Sequence, residues 1–354
     1  MKMFAFYLPQ FHEIEENDKW WGKGFTEWTN VRKARPLYDG HQQPVEPIND
    51  NYYNLLDQKT IEWQSELLQR YKIDGLIYYH YYFNGKMLLQ KPAENLLNNK
   101  QINHKFFFCW ANHSWNRSWL GKKEILMEQT YGGEAEWSKH FDYLLPFFKD
   151  PRYEQHDGKP VLMLFMYFPE KQKMVEYFDK RCREAGFKGI CIIETFHGTG
   201  IKGYLFLRKK RTKETYKFFL RQPTVCMNSI IRKEKFKIFR KLKKNAVTYK
   251  NGIKILDGNV LYQEMIKQRY PKTDVINGLF FEWDNTPRHG SRGYVITPPE
   301  KSLFDKYMKT ISNDEYIFIN AWNEWAEGMI MEPTKKNGYK YLEWIRDWRE
   351  KNNI

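Results

Sequence analysis

A (β/α)8 TIM barrel with long βα loops and a basic insertion is the fold class that this 354-residue sequence predicts. Three observations lead there. Short apolar runs alternate with helical patterns, the signature of parallel strands joined by helices. Seven such strands are clear and the chain has room for an eighth, a number that at this length favours a barrel over an open doubly wound sheet. No GxGxxG follows the first apolar run, so the dinucleotide-binding alternative lacks its phosphate-cradling loop.

Taken in order, Phe4 to Leu8 is the first strand, and a polar, aromatic loop follows it through Trp20, Trp21 and Glu27-Trp28. A helix near Asp57 to Tyr71 can bury Ile61, Leu67 and Leu68 on one face. Asp74 to Tyr82 is the second strand and Lys105 to Asn112 the third, with a helix near Leu88 to Asn98 between them. A helix near Ala135 to Phe148 leads to a fourth strand at Pro160 to Met166, and one near Lys173 to Ala185 to a fifth at Gly189 to Phe196. A helix near Asn259 to Gln268 precedes a strand at Asn277 to Trp283. A helix near Leu303 to Ile311 precedes the last strand, Tyr316 to Ala321, and a helix around Tyr341 to Glu350 closes the chain. The remaining strand is expected within or beside the basic region, at Thr224 to Met227. With no internal repeat and no low-complexity linker, residues 1–354 read as a single catalytic domain carrying an insertion at 202–254.

Charge isolates that insertion. Arg208 to Lys254 holds seventeen Lys and Arg against Glu214 and Glu234, a local excess equal to the net charge of +15 on the whole chain. The main body is therefore close to neutral and lacks the electrostatic footprint of a nucleic-acid binder. Within the basic stretch Ile231, Ile238 and Leu242 lie near one helical face in a cationic surround. Such a segment suits peripheral contact with an anionic membrane or an acidic glycan, and also reads as a solvated flap. Cys109, Cys182, Cys191 and Cys226 show no CxxC and no paired His spacing, so neither a metal nor another cofactor is expected. No apolar stretch of about 18 residues exists to span a membrane. The N-terminal run ends at Pro9 without a small-residue cleavage site, and a cytoplasmic protein, able to lie peripherally at the inner membrane face, is expected.

The active site of a barrel lies at the C-terminal ends of its strands. Those ends read Tyr7-Leu8-Pro9-Gln10, His80-Tyr81-Tyr82, Trp110-Ala111-Asn112, Glu282-Trp283-Asp284 and Asn323-Glu324-Trp325-Ala326-Glu327. They mix amide, imidazole and carboxylate groups with aromatic rings, and aromatic residues make up 18% of the chain. Sugar rings present flat apolar faces that such side chains stack on, although crowded cores use them too. Glu324 and Glu327 are the principal pair, because work on a glycosidic bond needs one group to protonate the departing oxygen and another to meet the oxocarbenium-like charge. An arbitrary ExxE is more often a pair of solvated glutamates opening a helix. Flanking Trp322 and Trp325 and the strand-end position weigh against that here. His80 reads equally as a satisfied core residue, Trp110 and Trp283 equally as packing, and a salt bridge to Arg288 competes for Glu282 and Asp284.

The segments Phe6 to His12, Glu16 to Val31, Tyr79 to Lys86, Cys109 to Asn112, Trp283 to Arg288 and Asn320 to Gly328 resemble the WbsX-type proteins. These are labelled glycosyltransferases of O-antigen and capsule clusters and look like relatives of the family 99 endo-mannosidases. The resemblance covers nearly the whole chain except the basic insertion. In the endo-mannosidases an Asn-Glu-Trp-x-Glu-Gly motif carries both catalytic carboxylates, and here it reads Asn323 to Gly328, with Ala326 where a His is usual. The resemblance implies that Glu324 draws the proton from the sugar 2-hydroxyl, closing a 1,2-anhydro sugar. Glu327 then protonates the leaving oxygen and later activates water, with retention. Tyr7, Gln10, Glu27, Trp28, His80, Tyr82, Trp110, Asn112, Trp283, Asp284, Asn323 and Trp325 are the expected substrate-binding residues. A retaining endo-acting hydrolase of surface oligosaccharide or polysaccharide is the leading expectation. A glycosyltransferase acting on a lipid-linked acceptor competes with it, without a DxD triplet or Gly-rich phosphate loop in its favour. A non-catalytic glycan-binding module is the third reading.

Overall fold

The computed structural model describes residues 1–117, 124–195, 204–206, 246–267 and 275–354. Its main sheet is built from Lys2–Tyr7 (β1), Gly75–Phe83 (β2), Lys105–Trp110 (β3), Lys159–Leu164 (β4), Cys191–Thr195 (β5), Tyr204–Phe206 (β6), Val275–Phe280 (β7) and Tyr316–Asn320 (β8). Pairing runs β1–β8–β7–β6–β5–β4–β3–β2, and β2 pairs back with β1 in parallel. All the pairings are parallel except those of β6, which is antiparallel to both β5 and β7. Two short strands, Lys86–Leu88 and Gln155–His156, extend the sheet as hairpin arms.

The seven strands read from apolar runs are all present, and their helices fall where the 3.6-residue periodicity places them. They are Gln58–Arg70, Lys91–Asn98, Glu134–Phe148, Lys171–Glu184, Gly258–Lys267, Lys301–Thr310 and Lys340–Lys351. The eighth strand falls inside the basic region 202–254, as expected, at Tyr204–Phe206 between β5 and β7, but it is antiparallel where a parallel strand was expected. Thr224 to Met227, like most of 202–254, lies outside the described residues. Chain length explains its direction: residues 196–203 are fewer than the dozen or so that a parallel crossover needs. The described end of the basic stretch is not a bare flap. Val247–Lys250 and Ile253–Leu256 form a hairpin that joins Tyr294–Ile296 and Trp283–Asp284 in a second, four-stranded sheet.

Side chains alternate between an inner and an outer face of the main sheet. On the inner side Phe4 of β1 meets Phe107 of β3 at 5.1 Å across the intervening β2, Phe107 meets Phe318 of β8 at 5.6 Å, and Phe6 stacks on Tyr79 at 5.5 Å. On the outer side Tyr7 packs on Tyr78 at 4.5 Å, and Tyr78 on Phe106. Gly75 shows how tight the inner layer is. A Cβ there would lie 2.8 Å from the Phe4 ring and 1.9 Å from the Lys105 carbonyl oxygen, so β2 must begin with glycine. Burying β2 on both faces gives it a continuous apolar and aromatic run without polar alternation.

Candidate active site

The motif predicted to carry the chemistry leaves β8 and folds as a small hairpin, Asn323–Glu324 against Met329–Ile330, with Trp325–Glu327 as a single 3-10 turn between them. Glu324 stands just before that turn and Glu327 ends it, close enough for both side chains to reach one partner. Gly328 closes the turn at φ 64°, and a Cβ on it would lie 2.6 Å from the Asp284 backbone nitrogen. Left-handed geometry and close approach both require glycine there.

Both carboxylates meet one cation. Arg288 donates from Nη1 to Glu327 Oε1, approaches Glu324 Oε2 with Nη2 at 3.4 Å, and donates from Nε to Glu27 Oε1 at 2.9 Å. Sharing a planar guanidinium keeps Glu324 and Glu327 within roughly 8 Å of each other, inside the separations that glycosidase carboxylate pairs use. Glu27 is fully buried, opens the helix Glu27–Lys33, and donates its backbone N–H to the Gln10 carbonyl at 2.9 Å. Its Oε2 is buried without a hydrogen-bond partner. Glu324 and Glu327 keep 13% and 23% of their side chains exposed, so the pair faces solvent from a site otherwise closed below. Burial works against the Arg288 charge, but Glu27, Glu327 and Glu324 outweigh it and hold the guanidinium far above its ordinary range.

Aromatic hydroxyls border the cluster. Burial first, and the nearby Glu324 carboxylate second, push Tyr81 well above its usual value. Burial and Glu327 together raise Tyr294 to about 12. His289 is lowered, chiefly by burial, with Glu327 pulling the other way.

A second layer holds the motif from behind. Asn323 accepts the Leu8 N–H at 2.7 Å through Oδ1 and donates to the Leu8 carbonyl at 3.1 Å through Nδ2. Glu332 is fully buried and receives four donors: Gln64 Nε2 at 2.6 Å and Trp322 Nε1 at 2.8 Å on one oxygen, Tyr53 hydroxyl and Trp325 Nε1, each at 2.7 Å, on the other. Burial outweighs these donors and raises its carboxyl to about 7. Trp28 packs against Trp325 at 5.0 Å and donates Nε1 to the Tyr53 carbonyl.

The expected site residues thus fall into groups. Glu27, Glu324 and Glu327 converge on Arg288. Gln10, Trp28, Asn323 and Trp325 support them. Asp284, next to Gly328, accepts from His41 Nε2 at 2.8 Å and Gln43 Nε2 at 2.6 Å, and from the Thr286 hydroxyl and N–H. His41 Nδ1 accepts the Leu37 N–H, which leaves the proton on Nε2. Burial raises the Asp284 carboxyl, and these donors more than reverse the effect. Trp283 lies half-buried, parallel to Tyr294 at 5.8 Å.

Five others do not join the cluster. Tyr7 points outward and donates to Gln64 at 2.8 Å. His80 meets His140 of the helix Glu134–Phe148 at 2.9 Å, Tyr82 stacks on His140 at 4.0 Å, and Trp110 donates Nε1 to the Tyr82 carbonyl. Asn112 is engaged in two bonds with the Met166 backbone. Glu282 is held by Lys336, Asn337 and Tyr341, so Arg288 belongs to Glu27 and the motif glutamates rather than to Glu282 or Asp284. Sequence reading missed Tyr81, Glu332 and the central place of Arg288. The inward parity of Phe4 and Phe6, carried across by strand register, is the signal that selects Tyr81 over Tyr82.

Among the described residues no group of three or more His, Cys, Asp or Glu is arranged to hold a metal, and no helix is long and apolar enough to cross a membrane.

Similar solved structures share this architecture across their length. An endo-alpha-mannosidase of family GH99 from Bacteroides thetaiotaomicron superposes with a TM-score of 0.52 at 13% identity, covering 99% of this chain and 98% of that one. Its complex with bis-tris-propane gives the same TM-score at 14% identity, covering 99% and 97%. A protein described as glycoside hydrolase-like matches at 0.52 and 10% identity, covering 98% and 93%. At such identities the likeness is one of fold. Two Xanthomonas campestris pv. campestris proteins, each called "Uncharacterized protein WxcX", are 29% identical over 358 residues, covering 97% of this chain. The chain spans about half the length of these curated relatives, 49%. The model of the family described as glycosyltransferase WbsX matches residues 3–345. A match over that much of the sequence places this chain in the WbsX glycosyltransferase family.

Proposed function

We propose that the chain is one carbohydrate-active catalytic unit of (β/α)8 type that cleaves glycosidic bonds within a bacterial surface polysaccharide, with retention. The observation that carries the reading is the convergence of Glu324 and Glu327 on Arg288 beside the buried Glu27, at the C-terminal rim of the parallel strands. The return pairing of β2 to β1 supports the barrel assignment.

In the proposed first step Glu324 accepts the proton of the 2-hydroxyl, O2 bonds to the anomeric carbon from the face opposite the leaving group, and Glu327 delivers a proton to the departing oxygen. Water, deprotonated by the Glu327 carboxylate, then opens the 1,2-anhydro ring at the anomeric carbon while Glu324 returns its proton to O2. Two inversions give net retention. Arg288 pairs with both glutamates in the unliganded site, so acid duty for Glu327 requires an arriving sugar to part it from the guanidinium. The anionic cluster stabilises positive charge as it develops on the ring.

Transfer to a lipid-linked acceptor is the second reading, favoured by the description of the family. The cationic stretch 202–254 would then bring the enzyme to an anionic membrane. Incubating the protein with the polysaccharide of the bacterium that encodes it, with and without nucleotide sugars, separates the two. Shortened chains that disappear with Glu327→Gln, by about 100-fold or more in rate, support hydrolysis. Product formed only with a nucleotide sugar overturns it. Binding without turnover, unchanged in Glu324→Gln and Glu327→Gln, leaves a lectin-like module.

A further inference from the structure

We propose that Glu332 is a positioning residue for the catalytic loop, its ionised carboxylate clamping the two indoles that bracket Glu324. The proposal rests on the carbohydrate chemistry assigned to that loop. The bonding inventory at Glu332 is unusual. Trp322 Nε1 and Trp325 Nε1 can only donate, and Gln64 Nε2 donates while its Oε1 is occupied by the Tyr7 hydroxyl. Tyr53 is the one partner able to reverse direction. Three obligate donors and a hydroxyl that donates here are matched by an acceptor-only group, which among the protein's side chains is a carboxylate.

Each oxygen ties one motif indole to the scaffold. Oε1 links Trp322 to Gln64 on the helix Gln58–Arg70, and Oε2 links Trp325 to Tyr53. Trp325 opens the 3-10 turn that ends at Glu327, and Trp322 donates its backbone N–H to Phe6 of β1 at 2.7 Å. The clamp thus fixes both ends of the segment bearing Glu324. The ionisable groups facing Glu332 are Tyr53 and Tyr7, which burial keeps neutral at ordinary pH. A proton on Oε1 would meet only donors and loosen Trp322 or Gln64. One on Oε2 could be kept only if the Tyr53 hydroxyl gave up its own bond and turned to accept it, so protonation slackens the clamp. Its raised value, about 7, puts that event in reach of ordinary conditions.

Three variants test this: Glu332→Gln, Tyr53→Phe and Glu327→Gln. In Glu332→Gln an amide nitrogen faces a donor in either orientation. Turnover of the surface polysaccharide by wild-type protein is expected to fall below an acid limb near pH 7. Tyr53→Phe removes one donor and should move that limb up by about one pH unit. Glu332→Gln should abolish the limb and lower kcat about tenfold or more with little change in KM, whereas Glu327→Gln abolishes turnover outright. Wild-type profiles in both Glu332→Gln and Tyr53→Phe, while Glu327→Gln is dead, overturn the proposal and leave the catalytic reading standing. Absence of both turnover and polysaccharide binding in wild-type protein sinks the catalytic reading instead. The clamp is then read by NMR from the indole N–H resonances of Trp322 and Trp325, assigned with Trp→Phe variants. A common titration near neutral pH, absent in Glu332→Gln, supports it, and static resonances overturn it.

Discussion

Arg288→Met removes the cation shared by Glu27, Glu324 and Glu327 while keeping an unbranched side chain of similar reach. Glu27 dominates the cost, because its side chain is wholly buried and one of its oxygens already lacks a partner. Leaving a buried charge uncompensated costs about 3–5 kcal/mol. Glu324 and Glu327 add less, since water reaches them. The variant answers by taking up a proton, so a carboxyl in its folded state titrates above the unfolded value of about 4.3. Stability from such a group is present below the unfolded value and is lost as pH rises through the folded one. At about 1.4 kcal/mol per pH unit, a penalty of that size spreads over two to four units above pH 4.3. The deficit relative to wild type should therefore reach its full value near pH 8 and shrink to about 1 kcal/mol near pH 5. Urea unfolding followed by tryptophan fluorescence at the two pH values measures both. A deficit below about 1 kcal/mol at pH 8, or an equal deficit at both, refutes the account of the cluster as a buried carboxylate held by one shared cation.

Other predictions follow from the same contacts. Gly328→Ala meets both a left-handed backbone and the Asp284 main chain, so it should cost about 2–4 kcal/mol by chemical denaturation and weaken any activity of the motif. Tyr81→Phe, beside Glu324, should change the rate or pH profile of glycan turnover, whereas Tyr82→Phe, bonded to Glu136, should leave both unchanged. Burial lowers His80 to about 3 and His140 well below its ordinary value, so both are neutral in the fold and charge when unfolded below about pH 6.5. The unfolded state binds more protons there, and stability should fall with pH by about 1.4 kcal/mol per unit for each histidine. A His80→Leu, His140→Leu double variant should show a shallower acid-side slope in urea midpoints measured between pH 6 and 4.

The strands were legible because a parallel sheet buried on both faces writes each strand as a continuous apolar run, and the helices between them keep their own period. The same double burial erases alternation. Within Tyr78 to Phe83 nothing local separates the side facing the site from the side facing the helices, which is why His80 and Tyr82 stand out in sequence and Tyr81 in structure. β6 escaped notice because a three-residue strand carries no period. Glu324 and Glu327 could be singled out because they stand three residues apart in one short hairpin after a legible strand. Arg288 and Glu332 act through partners far away in sequence: Arg288 reaches Glu27 across 261 positions and Glu332 reaches Tyr53 across 279. Only the fold brings them together.

The Asn323 amide that grips both the N–H and the carbonyl of Leu8 spans 315 positions of chain. During synthesis β1 emerges long before its partner β8, and until then one side of β1 presents unpaired N–H and C=O groups. The nascent polypeptide therefore carries an open, apolar strand until residues 316–320 have emerged, the condition under which edge-to-edge association and chaperone engagement occur. The hairpin that bears Glu324 follows β8 directly, so its latch on Leu8 forms only once the last strand of the sheet has met the first.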